Sequence, residues 1–229
     1  MIILAIDTAS RSCSVAVVDG DGIMAEINDA SGETHSRHLM AMVDQAVAMS
    51  VKRIGAIEGY AVTRGPGSFT GLRIGISAAK GLAEAAGRPL AGVSSLEALA
   101  WQVAQSDAII IPMLDARRKE VYAARYICRN GALKSLAAER ALPPESAVAG
   151  VAEPCLLVGD GALAYEEHLR EALGAHMQLA LPFQHIIRAS TVGFLARERL
   201  SGAPDERMTL TPRYLRPSYA DQTYHQASG

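Results

Sequence analysis

Cysteine is scarce in this chain, and the few present are too far apart to act together. Cys13, Cys128 and Cys155 are odd in number and no CxxC pair occurs, which argues against a disulfide framework or a zinc knuckle and fits a reducing compartment. An excess of basic residues is also missing. A formal net charge of −2 argues against a broad electrostatic grip on nucleic acid, though not against a local basic patch. The amino-terminal MIILAIDTAS has no basic flank and reaches Asp7 after six residues, so it reads as neither a signal peptide nor a membrane span. A cytoplasmic protein is expected. Three motifs are absent as well: a GxSxG nucleophile elbow, a GxxxxGK[ST] phosphate loop and a complete GxGxxG.

What remains is ordinary soluble-globular material, 49% hydrophobic and 20% charged over 229 residues, enough to bury a real core as one domain or two small ones. Residues 2–8 form an apolar run of strand length, 12–19 alternate, Asp19-Gly20-Asp21-Gly22 is a strong hairpin turn, and 23–30 return. A helix follows from about Ser36 to Ser50, with Leu39, Met42, Val43, Ala46 and Val47 at spacings of three and four. A strand over 56–63 then delivers the chain into the stretch around which the rest is organised, Thr63–Gly87.

That stretch has two halves. Arg64-Gly65-Pro66-Gly67 is a turn, and Ser68 or Thr70 can cap the helix that follows. Within the helix, Gly71, Gly75, Ala79 and Ala83 lie four apart and form one stripe with almost no side chain, flanked by Leu72, Ile76 and Leu82. Glycine inside a soluble helix costs roughly 1 kcal/mol against alanine, so two on one face imply that another backbone comes very close. Two readings stay open. The stripe packs on this chain's own sheet, or the stretch is functional, its small face docking another protein or its loop amides binding an anion at the helix N-terminus.

Beyond Gly87 come a short strand at 89–93 and a helix through Leu96, Leu99, Ala100 and Val103. Trp101, the one tryptophan, fits a core gap or a seam better than a ligand site. From Ala108 the pattern restarts: a strand ending at Asp115, a second strand over 120–128, and a turn at Arg129-Asn130-Gly131. A short helix from PPES (143–146), a strand at 155–161, helices at 162–173 and 191–200, and a polar tail complete the chain. The repeated strand–Asp–strand–turn order predicts a duplicated α/β architecture with two mixed-sheet lobes, of the actin, sugar-kinase and Hsp70 kind. The lobes are expected at 1–105 and 106–189, with the last segment, 190–216, returning to the first.

Active members of that architecture hold ATP phosphates between two aspartate-glycine hairpins. Asp7-Thr8-Ala9-Ser10 and Asp115-Ala116-Arg117-Arg118 keep the aspartates and lack the glycines that would let backbone amides approach a phosphate. Asp7, Gly67 and Asp115 are therefore expected to line a vestigial nucleotide cleft. Arg117 and Arg118 could bind an anion, or could equally be solvated or partner Glu120. His35 and His38, three apart at a helix start, could chelate one ion, but no third ligand is evident. No metal and no cofactor are expected.

The segments ILAIDTAS, CSVAVVD, HSRHL, GPGSFTGLRIGISAAKGLA, VSSLEALA, LDARRKEVYAARY and PRYLR, in this order along nearly the whole chain, closely resemble the bacterial TsaB (YeaZ) family. The resemblance implies an actin/Hsp70-like (ASKHA) fold and a role in threonylcarbamoylation of the adenosine next to the tRNA anticodon. It implies a non-catalytic paralogue that pairs with the transferase subunit TsaD through N-terminal-lobe helices and is joined by the ATPase TsaE, with tRNA met through the complex. TsaD-like proteins carry a HxxxH metal motif where this chain has His35-Ser36-Arg37-His38-Leu39, so metal binding does not carry over. The helices at 36–50 and 70–86 map onto the pairing helices. On that mapping Leu39, Met42, Val43, Ala46, Leu72, Gly75, Ile76, Ala79 and Ala83 are the interface candidates, and Gly75→Arg is expected to abolish pairing while leaving the fold largely intact. A peptidase-like hydrolase, a small kinase and a nucleotide-sensing binding module are the alternatives. A homodimer through the same helices is compatible with the main reading.

Overall fold

The computed structural model describes residues 1–20, 22–32, 35–51, 53–104, 108–202 and 205–216, with the backbone alone described at His35 and Ser36. The expected lobe boundary at 105/106, the end of the tail after Arg216 and the His35 side chain lie outside these residues.

Among the described residues, ten strands form two five-stranded sheets. The first contains β1 (Ile2–Asp7), β2 (Cys13–Asp19), β3 (Gly22–Asp29), β4 (Gly59–Gly65) and β5 (Leu90–Ser94) in the order β3-β2-β1-β4-β5. The second contains β6 (Ile109–Asp115), β7 (Val121–Arg129), β8 (Ala132–Leu142), β9 (Cys155–Val158) and β10 (Met177–Leu179) in the order β10-β9-β6-β7-β8. Read from its β8 edge, the second sheet repeats the first: third strand, second, first, fourth, fifth. In each, the first three strands pair antiparallel and the last two join in parallel. This is the α/β, two-sheet ASKHA architecture expected from the duplicated strand–Asp–strand pattern.

The apolar run of β1 is buried on both sides. Ile3 and Ala5 face one core and Leu4 and Ile6 another, as the two-residue period of a strand requires. Two helices, α1 (His35–Ser50) and α2 (Phe69–Ala86), cover one face of the first sheet. On its other face, α3 (Ser95–Trp101) and α7 (Ala189–Gly202) share a core with Ile110, Leu114, Tyr126 and Val158 of the second sheet. A third core closes the far side of the second sheet under α4 (Pro144–Val148), α5 (Asp160–Ala164) and α6 (Glu166–Leu173). The start of α7 is fixed to the first sheet by side-chain acceptors: the Ala189 amide donates to Ser14 Oγ at 2.8 Å and the Ser190 amide to Glu26 Oε1 at 2.9 Å. A carboxylate at a helix N-terminus also answers the helix dipole.

Several local expectations change. The helix anticipated at 162–173 is two helices, broken at Tyr165. The strand anticipated from residue 56 begins at Gly59, after a turn of 3-10 helix at Ile54–Ala56. Trp101 is a seam residue, its ring 6.0 Å from that of Phe194 on α7. The segment from 205 to 216 covers the outer edge of β5. Leu90 N–H donates to Asp205 Oδ1, the Glu206 amide to Leu90 O, and the Gly92 amide to Glu206 Oε2. Such cover removes an open sheet edge. The segment then crosses toward the second sheet, where Arg213 pairs with Glu139 at 2.8 Å and Arg216 with Glu120.

Candidate functional site

Four strands end at one place. Asp7 closes β1, Gly65 closes β4, Asp115 closes β6, and Gly159 follows β9. These are parallel-strand carboxyl ends, where α/β sheets hold their ligands. Asp7 and Asp115, with the turn around Gly67, therefore come to the same end of the molecule, and a third carboxylate joins them. Asp160, in the GDG turn, accepts a 3.0 Å hydrogen bond from the Asp115 amide and is coupled electrostatically to Asp7.

Asp7 is fully buried. Its Oδ1 accepts from Thr63 Oγ1 at 2.7 Å and from the Ala9 amide at 3.1 Å, while Oδ2 has no partner among the described residues. Burial pushes its pKa up to about 7, against these hydrogen bonds and with a smaller push from Asp160. Burial also raises Asp160, and the Asp115 amide partly offsets it. Beside them, burial drives the Cys13 thiol up to about 12, with Asp7 adding to the effect, so this cysteine stays protonated and inert.

The glycines of this region are closed by the chain itself. A Cβ on Gly67 would overlap the Ala9 carbonyl, and one on Gly71 the Thr8 carbonyl. The Ser68 amide donates to Ala9 O at 2.7 Å, and Thr8 Oγ1 donates to Gly71 O at 2.7 Å. In the second half, a Cβ on Gly159 would overlap Met113 O, and Gly161 lies against the Leu114–Asp115 peptide. His185 pins that turn: its Nδ1 lies 3.2 Å from the Gly159 amide nitrogen and 3.1 Å from Gly159 O, and its Nε2 lies 3.0 Å from Ala180 O. Ser68 caps α2 by accepting from the Gly71 amide at 3.2 Å, so it is a cap held in its place by structure. Among the described residues no cluster of three or more His, Cys, Asp or Glu could hold a metal ion.

The second candidate surface is the pair α1 and α2, and here the nine predicted interface residues need correction. Leu39, Met42, Val43, Ala46, Leu72, Gly75, Ile76, Ala79 and Ala83 are all buried inside this chain. Eight of these positions carry side chains that fill the two cores either side of the first sheet. The ninth, Gly75, lies so close to the residue that follows β1 that a Cβ would overlap Thr8 Oγ1. The close approach inferred from the glycine stripe is real, and the approaching residue is the chain's own Thr8, by its carbonyl at Gly71 and its Oγ1 at Gly75. Consequently Gly75→Arg would break the fold rather than test an interface.

The outward side of the same helices is different. On α1 it carries Met40, Ala41, Asp44, Gln45, Ala48 and Met49, with Met40 47% and Met49 68% exposed. On α2 the exposed row Ser77, Gly81 and Ala85 runs beside the half-buried row Ile74, Ala78 and Leu82. None of these six is charged. Gly81 has nothing within 4 Å of where a Cβ would sit, so the fold gives no internal reason for a helix-interior glycine there. Sequence periodicity pointed past this residue because the 71–75–79–83 stripe is the stronger signal. At the first turn of α2, Phe69 stacks on Tyr214 at 4.8 Å, and the Arg73 guanidinium lies over Phe69 at 3.9 Å and donates to Tyr214 OH.

Comparison with known proteins places these features in context. The family model described as TsaD, tRNA N6-adenosine threonylcarbamoyltransferase, matches residues 19–221. The chain is 31% identical over 224 residues to the tRNA threonylcarbamoyladenosine biosynthesis protein TsaB of Bacillus subtilis, covering 96% of each. Its fold superposes on the solved YeaZ of Pseudomonas aeruginosa with a TM-score of 0.79 at 28% identity, covering 93% of this chain and 99% of that one. A more distant likeness, to component A of (R)-2-hydroxyglutaryl-CoA dehydratase from Acidaminococcus fermentans, has a TM-score of 0.54 at 11% identity over 88% of this chain and 99% of that one, and speaks to fold alone. No helix among the described residues is long and apolar enough to cross a membrane.

Proposed function

Because this chain belongs to the TsaB (YeaZ) family, we propose that it is a non-catalytic subunit of the machinery that makes threonylcarbamoyladenosine in tRNA. In this reading it docks on the transferase subunit TsaD through the outward side of α1 and α2, the ATPase TsaE joins the pair, and tRNA is engaged through the assembly. The observation that carries the reading is the uncharged surface of Ile74, Ser77, Ala78, Gly81, Leu82 and Ala85. A helix-interior glycine exposed to solvent costs roughly 1 kcal/mol against alanine with no return in the monomer. A partner helix laid across Gly81 supplies the return, since the missing side chain lets two backbones approach.

Two further observations support the reading. The match to a TsaD family model over most of the chain means that a TsaD partner would share this fold. Two related folds meeting through the same helix pair make a pseudo-two-fold interface, and the same surface can pair two copies of this chain when TsaD is absent. The cleft supports a non-catalytic role as well. Its glycines lie against the chain's own carbonyls, and the Ser68 and Gly159 amides already donate to Ala9 O and His185 Nδ1, so these two amides are taken from any phosphate cradle. The subunit then acts by binding: contact with one conformation of the transferase favours that conformation by the difference in binding free energy.

The test is transfer of the threonylcarbamoyl group to tRNA by TsaD, TsaE and the donor-making TsaC, with and without this chain. Transfer that requires the chain is expected. Equal transfer in its absence would overturn the proposal. A second reading rests on one observation, the unpartnered Asp7 Oδ2 at the strand ends, which would suit a nucleotide-sensing module. Calorimetry with ATP and ADP distinguishes it, because micromolar affinity would contradict the closed-glycine account.

A further inference from the structure

Strands β7 and β8 carry a row of cations on one face. Side chains alternate across β7: Ala124 and Tyr126 belong to the core shared with the first sheet, and Val121 and Ala123 to the core under α4. Arg125, Ile127 and Arg129 continue the second side, and residues directly opposite them on β8 share it. Arg140 lies opposite Ala123 and Lys134 opposite Ile127. Each of the four levels from 123 to 129 thus holds one cation: Arg140, Arg125, Lys134, then Arg129. Alternate residues of a strand are about 6.6 Å apart, so the row is about 20 Å long.

No carboxylate of these strands answers it. Glu139, the one acidic residue in β7 and β8, is turned to the other side, beside Tyr126, where it accepts from Ser94 Oγ and pairs with Arg213. Arg129, Lys134 and Arg140 are exposed, and none of their side chains has a hydrogen bond or ion pair among the described residues. Glu145, exposed on α4, forms no ion pair with them. Arg125 donates to Ala147 O at 3.0 Å and to Ala149 O at 2.7 Å, which closes the end of α4 and leaves its charge uncancelled. Around Arg125 and Arg140 the surface sinks into a hollow of about 330 Å³ whose walls include Ala123, Ala137, Ala138 and Ala147. Such short side chains leave the cations open to a ligand.

Cations on an edge strand also deter pairing with a second sheet. That use covers Lys134 and Arg140 on β8 but not Arg129, since β7 lies between β6 and β8. The row has no aromatic side chain beside it, Tyr122 and Tyr126 lying on the other side, whereas protein interfaces centre on aromatic anchors. A line of Arg and Lys that offers charge and little else suits a row of phosphates. We propose that the Arg129, Lys134 and Arg140 face of the second sheet is a direct contact for the phosphodiester backbone of RNA. This contact rests on the function proposed above and deepens it, since it gives the subunit its own grip on tRNA.

Two variants test it. Arg129→Gln/Lys134→Gln/Arg140→Gln removes three exposed charges, and Lys134→Gln removes one. tRNA binding by the assembled complex of this chain with TsaD is measured across a salt series, with melting of each isolated variant and threonylcarbamoyl transfer alongside. The triple variant is expected to melt within about two degrees of wild type, as exposed substitutions do. It is expected to bind tRNA about tenfold more weakly at 0.1 M salt, with the slope of log K against log salt shallower by about 2; for Lys134→Gln the slope falls by about 0.7. Wild-type affinity and slope in both variants would overturn the assignment. A triple variant that no longer holds TsaD would overturn it too, by marking the row as a protein contact. If the triple variant does not fold, the Lys134→Gln slope decides alone. If transfer proceeds without this chain, the function proposed above has failed; if transfer needs the chain and both variants bind tRNA as wild type does, only the RNA contact has failed.

Discussion

On the inner side of α2, Gly71 and Gly75 lie where any Cβ would overlap Thr8, whereas on the outer side Gly81 faces open space. Three glycines in one helix thus serve two purposes. The inner pair lets the helix lie directly on the β1–β2 loop, which is how Thr8, Ala9 and the GPG turn come to lock together. The outer glycine does nothing for the monomer. A small residue in a helix therefore announces close approach but not by what, and only the position of the neighbouring chain decides between core and partner.

The largest expected effect comes from violating the inner face. Gly75→Arg would force a long cation into a space already filled by Thr8 and Val62, and no soluble folded protein is expected, by expression and circular dichroism. Even Gly75→Ala is expected to cost about 3 kcal/mol as overpacking, read from denaturant midpoints. A folded, cooperative Gly75→Arg would erase the distinction between the two faces.

Next in size is the carboxylate that the inner packing buries. Asp7 has its pKa raised from 3.8 to about 7. Its charged form is disfavoured in the folded state, so its contribution to stability is intact below about pH 4. That contribution is lost as pH rises from about 4 to 7. The full loss is on the order of 4 kcal/mol. Asp7→Asn keeps an acceptor for Thr63 and Ala9 and cannot ionise, so the variant is expected to exceed wild type in stability at pH 8 and to lose this pH slope. Denaturant titrations at pH 5 and pH 8 check it; equal slopes in both proteins would show that Asp7 ionises without penalty. The smallest effect belongs to the outer face, where Gly81→Ala is expected to stabilise the monomer by at most about 1 kcal/mol.

Much of the fold was legible because its signals are local. Strand-length apolar runs ending in Asp7 and Asp115, and the turn signals after each second strand, predicted the duplication that both sheets display. Strand β8 was not legible: ALKSLAAERAL is mostly exposed, so no face imposes an alternating pattern. Strand β10, three residues long, is shorter than any periodicity. The break at Tyr165 was hidden because apolar spacing runs straight across it. At the candidate cleft, Asp7 and Asp115 were singled out by their position at strand ends and Gly67 by its turn, but Asp160 was seen only as part of a weak glycine turn. The nine interface candidates failed for a physical reason. Both sides of α1 and α2 carry small or apolar residues, and a period of 3.6 residues reports that a side is apolar without reporting what covers it.

The outer face of α2 as the docking surface is tested most directly by Gly81→Arg. The variant protein and wild type would each be mixed with TsaD and followed by size-exclusion chromatography, with melting of the isolated chains measured alongside. The account predicts that the variant melts within a few degrees of wild type and no longer co-elutes with TsaD. Co-elution undiminished by an arginine at this position would contradict it.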